Sequence, residues 1–525
     1  MSFGVFASEN SEQKRPNVVF IICDDLNDAI EGMGGHPQAI TPSLDKLMQQ
    51  GVTFTNAQTN CPICGPSRAS LWSGLYPHTT GYFGYNQQQN HWRKNATLQN
   101  TVTLFEHLSG NGYQVYATGK IHHNGHEDWS IFKNADGKDG FEVGPSFGPY
   151  PWDGNAATNN VKDRGVAYPN LPNNYVSKAC WDGFGPVCDL SNTMNGKGTW
   201  LYNHNGEEYK YKTADNRDLM PDERCVEYAK GVLAEEHNSP FFMAVGFNRP
   251  HSPCYVPQKY FDVFDKEALQ LAPFLKNDLE DCAKSISKGN DLGTGDNGFY
   301  KYNKLNDADG EAALLQWTHA YLACVAFVDD QIGQVVEAVK NSEYADNTII
   351  IVTSDHGYHM GEKEYIFKNT LWEESARIPL IIAGLNSASN QKCVTPVSLI
   401  DIYPTIVDYC DLPNNPNNYG NKKALDGNSL KPLIVNPKAE IWEGEDFAIT
   451  AVSSSYKLDK NQAGPVEEQH YSIRTKQYRY IYCRNGEEEL YDHENDPYEW
   501  NNLANKAKYK KIKKALKSSI VKTCY

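Results

Sequence analysis

Asn17 to Cys23 reads NVVFIIC and is followed at once by Asp24 and Asp25. The run is apolar and β-rich without polar alternation, the pattern of a parallel strand covered on both faces. Two further stretches repeat it. Thr348 to Thr353 (TIIIVT) follows a long helical pattern around Trp317 to Lys340 and leads into Ser354, Asp355 and His356. Pro240 to Phe247 (PFFMAVGF) follows a helical pattern near Asp222 to Glu236 and leads into Asn248, Arg249, Pro250 and His251. Helix, strand and polar cluster thus recur in one order. In open α/β sheets ligands bind beyond the carboxyl ends of the strands, so the three clusters are expected to meet at one site.

Outward from these strands, 525 residues exceed what one hydrophobic core organises, and a large domain with a smaller appendage is expected. Hydrophobic content of 40% and charged content of 22% are those of a globular enzyme. A net charge of -16 argues against nucleic acid and anionic membrane as general partners, so a polyanionic substrate has to be met by a local basic pocket. No apolar run approaches the roughly 18 residues of a membrane span, and no membrane insertion is expected. Residues 1–16 read as a disordered remnant or tag-like segment, because Met1 to Ala7 lacks the basic start of a signal peptide. Thirteen cysteines favour an exported protein, secreted or periplasmic, and their odd number leaves at least one unpaired or chemically special. Residues 17–436 are expected to form the α/β domain. Within it, residues 125–220, rich in Gly, Pro, Asn and Tyr, read as a surface elaboration carrying substrate specificity. Residues 437–525 read as a small α+β subdomain, with antiparallel strands in His470 to Cys483 and Glu489 to Tyr491 and a basic helix around Lys506 to Ser519.

Cys64 to Gly74 reads CGPSRASLWSG, a Gly-Pro turn entering a helix, which puts Cys64 at a helix N-terminus. There the helix dipole and free N–H groups favour the thiolate, and Cys64 is a candidate nucleophile on this ground alone. Cys61 and Cys64 also form a CxxC pair, but no second pair completes a zinc site. Asp24 with Asp25, and Asp355, follow strands directly; an Asp pair so placed is by itself more often a cap or turn than a metal site.

The order Cys64, any residue, Pro66, Ser67, Arg68, followed by Leu71 and Gly74, resembles the signature of the type I, formylglycine-dependent sulfatases. Thr41 to Asn56 (TPSLDKLMQQGVTFTN) resembles the helix that leads toward the nucleophile in that family. The terminal ELYDHENDPYEWNNLA, Glu489 to Ala504, resembles its C-terminal subdomain. The resemblance implies an alkaline-phosphatase-like α/β fold, a mixed, mostly parallel sheet between helices with a small C-terminal α+β subdomain. It also implies a formylglycine made from Cys64 by a formylglycine-generating or sulfatase-maturating enzyme. In that chemistry one oxygen of the hydrated aldehyde attacks sulfur, and loss of the proton from the other expels sulfate.

Carried over residue by residue, the resemblance implies a Ca2+ held by Asp24, Asp25, Asp355, His356 and the converted Cys64. It implies Lys120 and Lys368 on the sulfate, Arg68 orienting the diol or the carboxylates, and a histidine beside Lys120 for which His123 is preferred over His122. His251, in Arg249-Pro250-His251, would be the general acid for the departing sugar oxygen. Lys120 with His123, Ser239 to Pro253, and Cys180 with Cys188 resemble the iduronate-2-sulfatase branch, and the cysteine pair would close a short disulfide loop. The expected substrate is a sulfated carbohydrate, an ulvan-like or uronic-acid-containing glycan handled by a bacterial polysaccharide sulfatase. His91, Trp92, His122, His470 and Arg474 are candidate sugar contacts. A phosphonate or phosphate ester hydrolase of the same superfamily and a non-catalytic carbohydrate-binding relative are the competing readings.

Overall fold

NVVFIIC forms the buried core of strand β1 (Asn17–Asp24). The computed structural model describes residues 15–87, 92–123, 141–146, 184–187, 200–202, 207–287, 291–293, 297–414, 416, 425–439 and 441–525. In chain order, the elements that build the site are α1 (Pro42–Met48), β2 (Gly51–Phe54), α2 (Cys64–Ser73), α3 (Leu104–Gly110), β3 (Gln114–Gly119) and β4 (Phe141–Ser146). They continue with α4 (Pro221–Leu233), β5 (Phe241–Pro250), α5 (Glu311–Lys340), β6 (Thr348–Ser354), β7 (Leu380–Gly384), β8 (Gln391–Cys393) and α6 (Ile402–Tyr409).

The eight strands make one sheet in the order β8-β2-β7-β6-β1-β5-β3-β4. β1 pairs in parallel with both β5 and β6, and β3 is parallel to β5 and to β4. Only β7 runs against its neighbours β6 and β2. The three apolar runs read from the sequence are therefore the three central strands. Their lack of alternation has a direct cause: Val19, Ile21 and Cys23 enter one core with α4 and α5, while Val18, Phe20 and Ile22 enter a second core with Trp72, Phe105 and Ile406 on the other face. Both faces are covered, so both sets of side chains must be apolar.

Some expectations are corrected. Thr41 to Asn56 is not one helix: α1 ends at Met48, and GVTF becomes β2, where a side chain at Gly51 would stand 2.2 Å from the Ile382 carbonyl oxygen. The backbone approach that glycine permits lets this short segment join the sheet. β5 runs on past Phe247 to Pro250, and its register against β1 shifts between Cys23 and Asp24. Within residues 125–220, the segment 141–146 forms β4, the edge strand of the main sheet. Cys180, Cys188 and His91 lie outside the described residues, as does most of 1–16.

The C-terminal part is a four-stranded antiparallel meander of β9 (Phe447–Val452), β10 (His470–Thr475), β11 (Tyr478–Tyr482) and β12 (Glu488–Asp492), covered by helix α7 (Lys510–Cys524). Glu373 of the main domain pairs with Arg474 and Arg479 of this sheet, and Arg479 also pairs with Glu499. Among the described residues, no helix is long and apolar enough to cross a membrane.

Candidate active site

At the carboxyl ends of β1, β5 and β6 the three polar clusters meet, as the strand order requires. Asp24 ends β1, and Asp25 follows in a left-handed conformation, φ 66°, which an aspartate tolerates better than most residues. The Tyr321 hydroxyl donates to the Asp25 carbonyl at 2.6 Å and fixes this turn. Asp355, just beyond β6, accepts at Oδ1 from the Asp25 and His356 amides at 3.3 and 3.0 Å. Its carbonyl accepts from the Thr59 and Ser67 hydroxyls at 2.7 and 2.6 Å, which locks it to the segment around Cys64.

Cys64 is the first residue of α2 and is fully buried. His356 Nε2 is 3.2 Å and Lys368 Nζ 3.3 Å from its Sγ, and His123 also hydrogen-bonds it. Burial alone would push this thiol up, yet Lys120, Lys368, His356 and the His123 hydrogen bond outweigh burial and hold it well below its ordinary value. The side chain is thus set to carry negative charge.

Lys120 pairs with Asp24, and Lys368 pairs with Asp25. Burial would raise Asp24, but Lys120 and the other cations nearby depress it, so it is a carboxylate at any physiological pH. Lys120 reaches its place through a tight backbone turn. Gly119 has φ +75°, and a side chain there would stand 1.9 Å from the Gly246 carbonyl oxygen, which accepts from the Lys120 amide at 2.7 Å. Arg68, fully buried, donates through Nε to Asp355 at 2.8 Å, reaches 3.6 Å from Asp24, and donates through Nη1 to the Lys120 carbonyl. One guanidinium therefore ties together the ends of β1, β3 and β6.

His251 lies at the open side, 14% exposed, its Nε2 3.8 Å from Asp24 and 4.0 Å from Asp25. Its Nδ1 donates to the Ser252 carbonyl. His123, not His122, reaches Cys64; His122 instead stacks on Trp92 at 5.0 Å and meets Trp72 edge-on at 6.4 Å. Trp92 is 4% exposed, so this pair packs inside the protein.

His470 and Arg474 are corrections as sugar contacts. His470 Nε2 bonds the Asp291 carbonyl at 2.7 Å, and Arg474 pairs with Glu373, both side chains being buried on strand β10. Their polarity serves subdomain packing, because a buried charge or imidazole needs a partner.

Three contributors escaped the sequence reading. Tyr85 stacks on His123 at 4.3 Å and hydrogen-bonds Cys64. It lies in an aperiodic Gly-aromatic stretch with no local signal. Asp222, read as part of a helix start, accepts from the Asn248 and Arg249 amides at 2.8 and 3.0 Å and so holds the turn that carries His251. Tyr321 lies mid-helix, where an aromatic reads as core.

Donor atoms of Asp24, Cys64, Asp355 and His356, and of Asp24, Asp25, Cys64 and His251, lie within 4.8 Å of one another. Oxygen donors at roughly 2.3–2.6 Å from a calcium ion span such a distance. Asp24 Oδ1 and Asp25 Oδ2 are buried without a hydrogen-bond donor, which is the unmet need a cation fills. His356 reports the same excess of negative charge: burial would lower it, but Asp355 and Cys64 raise it to about 9. The donor set therefore fits a hard divalent cation.

An acidified thiol at a helix N-terminus, flanked by two buried lysines and a carboxylate set that fits a cation, suits a hydrolase of anionic esters. The family model described as Sulfatase matches residues 16–412, and that described as N-sulphoglucosamine sulphohydrolase, C-terminal, matches residues 361–524. A sulfatase of Formosa agariphila is 34% identical over 514 residues, covering 98% of this chain and 87% of the relative. An ulvan-active sulfatase of the same organism is 24% identical over 521 residues, covering 98% and 82%. A solved enzyme in complex with its substrate D-glucosamine-2-N,6-O-disulfate has the same fold, with a TM-score of 0.67 and 22% identity over 97% of each chain. The chain belongs to the type I sulfatase family, sulfuric ester hydrolases built on the alkaline-phosphatase-like fold.

Proposed function

We propose that this sulfatase removes sulfate from a sulfated polysaccharide or oligosaccharide, with an ulvan-like or uronic-acid-containing glycan favoured, and that it is exported to the periplasm or beyond. The observation that carries the reading is the placement of Lys368 3.3 Å from Cys64 Sγ, with Lys120 beside the same atom's carboxylate neighbour Asp24. Two buried cations at one nucleophile suit a sulfate ester, whose charge stays on the group attacked. The names of an ulvan-active relative and of a glucosamine-disulfate complex support a carbohydrate as the alcohol part. Lys120 followed three residues later by His123 supports the iduronate-2-sulfatase-like branch.

In this reading Asp24, Asp25, Asp355 and His356 hold Ca2+, and position 64 carries formylglycine made from Cys64 by a maturating enzyme. Calcium supplies fixed positive charge that favours an ionised oxygen nucleophile and offsets sulfate charge, and formylglycine supplies that oxygen as a hydrated aldehyde. The chain's own residues do the remaining work. Lys120 and Lys368 bind the sulfate oxygens and offset the charge gathering there. Arg68 keeps Asp355 and Asp24 facing the cation. His123, stacked on Tyr85, holds a proton at the nucleophile. His251, with Nδ1 committed to Ser252, presents Nε2 to the leaving sugar oxygen and donates the proton it needs.

The test has two parts. Sulfate release from ulvan and heparin oligosaccharides is compared with turnover of a phosphodiester, and the peptide bearing Cys64 is weighed. Sulfate release with a mass about 18 Da below the cysteine peptide is expected, since aldehyde oxygen replaces thiol sulfur. Phosphodiester turnover above sulfate release, or full activity with an unchanged cysteine, overturns the reading.

A further inference from the structure

We propose that the exposed side of helix α7, with the aromatic residues of the same subdomain, forms a second, non-catalytic binding surface for the sulfated polysaccharide chain; this rests on the substrate class proposed above. Residues 506–525 contain eight lysines and no acidic residue, in a chain whose net charge is -16. An isolated lysine run is ordinarily a solvated face, so the argument depends on how these lysines are presented.

Helix α7 buries Leu516, Ile520 and Cys524, a stripe four residues apart, against the C-terminal sheet. Lysines flanking the stripe are committed. Lys513 pairs with Glu488 at 2.6 Å, and Lys517 lies over the Tyr482 ring at 4.0 Å. Lys510, Lys511 and Lys514 project from the opposite, exposed side, and Lys506 and Lys508 extend the positive charge upstream. These outer charges have no counter-charge on their own segment, and their mutual repulsion is relieved by a bound polyanion.

Aromatic rings lie along the same subdomain. Lys508 sits 4.7 Å over the Tyr509 ring, which meets Tyr478 edge-on at 6.4 Å. Tyr498 is 44% exposed and stacks on Trp500 at 4.8 Å, offering a flat apolar face of the kind sugar rings cover. Exposed lysines for sulfates and an exposed aromatic stack for pyranose rings on one subdomain match a sulfated glycan at both of its chemical features. A membrane surface fits less well. An amphipathic helix binds lipid with its apolar face, and the apolar face of α7 is already spent on the sheet.

Such a surface would retain the polymer while the active site works on it, so its removal should leave small substrates untouched. The triple variant Lys510→Glu, Lys511→Glu, Lys514→Glu, its Gln counterpart, and a control Lys438→Glu on an exposed lysine outside the helix are compared as full chains with matched thermal unfolding. Binding to heparin, chemically desulfated heparin and anionic phosphatidylglycerol vesicles is measured at low and high salt, alongside turnover of 4-nitrocatechol sulfate. The expected result is heparin affinity about tenfold weaker in the Glu variant and intermediate in the Gln variant, lost for all at high salt, with the aryl sulfate rate and the control unchanged. Heparin affinity unchanged by charge reversal overturns the proposal. So does binding to desulfated heparin or to vesicles equal to that of heparin. Aryl sulfate turnover reads the sulfatase chemistry independently: its absence with charge-dependent heparin binding intact faults the catalytic reading and leaves the surface standing.

Discussion

Arg68 Nε donates to Asp355 Oδ2 at 2.8 Å while both side chains are fully buried. The pair joins α2, which carries Cys64, to the end of β6. Arg68→Lys keeps a charge but cannot reach Asp355, Asp24 and the Lys120 carbonyl at once. Sulfatase activity should fall at least about a hundredfold, and thermal unfolding should show a loss of about 3–5 kcal/mol in Arg68→Ala, where Asp355 is left without its buried partner. The mass of the Cys64 peptide has to be read in both variants, so that a failure of maturation is separated from a failure of the finished site.

Removal of the cation is the second expectation. Asp24 Oδ1 and Asp25 Oδ2 are buried and lack donors, so a chelator should expose their mutual repulsion. Dialysis against EDTA should abolish sulfate release and lower the unfolding temperature. Calcium restored to a hundred times its Kd should recover both, with a stability gain of about 2.7 kcal/mol from binding to the folded state alone. Activity and unfolding temperature unmoved by EDTA would refute a cation at these carboxylates.

Lys120 and Lys368 pair with different carboxylates, Asp24 and Asp25, and both bear on the Cys64 side chain. Replacing either by Met preserves length and removes charge. Each should cost kcat about 10²–10³, the loss seen when one donor to developing charge is deleted. The double variant should lose less than the product of the two, because both lysines bear on the same buried side chain at position 64. Steady-state kinetics on an aryl sulfate checks this.

How far the sequence led is clearest from these same residues. The sheet was legible because three strands buried on both faces have no choice but to be continuously apolar, and Asp24, Asp355 and His251 follow those strands directly. Cys64 was legible from the Gly-Pro helix entry that follows it, whereas Arg68, Lys120 and Lys368 were singled out through the family resemblance. Tyr85 was not, since its role arises from stacking on a residue 38 positions away in an aperiodic loop. His470 and Arg474 were misread for a related reason. A polar side chain on a strand looks available to a ligand until its partner is known, and Glu373 lies 101 residues from Arg474. Arg474→Ala should accordingly lower the unfolding temperature while leaving KM for the oligosaccharide unchanged, an outcome that a sugar-binding arginine would not give.

The adjacent histidines provide the sharpest contrast. His123 hydrogen-bonds Cys64 under Tyr85, whereas His122 stacks on Trp92 and faces Trp72. A backbone shift of one residue would exchange them, so local sequence gives little ground for choosing. His122→Phe keeps an aromatic ring on Trp92 and should hold activity within about twofold, at a stability cost near 1 kcal/mol. His123→Phe keeps the stack on Tyr85 but removes the nitrogen that bonds position 64, and kcat should fall about a hundredfold with thermal unfolding little changed. Tyr85→Phe, which keeps the ring and removes only the hydroxyl, should fall between them. An inactive His122→Phe beside an active His123→Phe would refute His123 as the histidine that serves position 64.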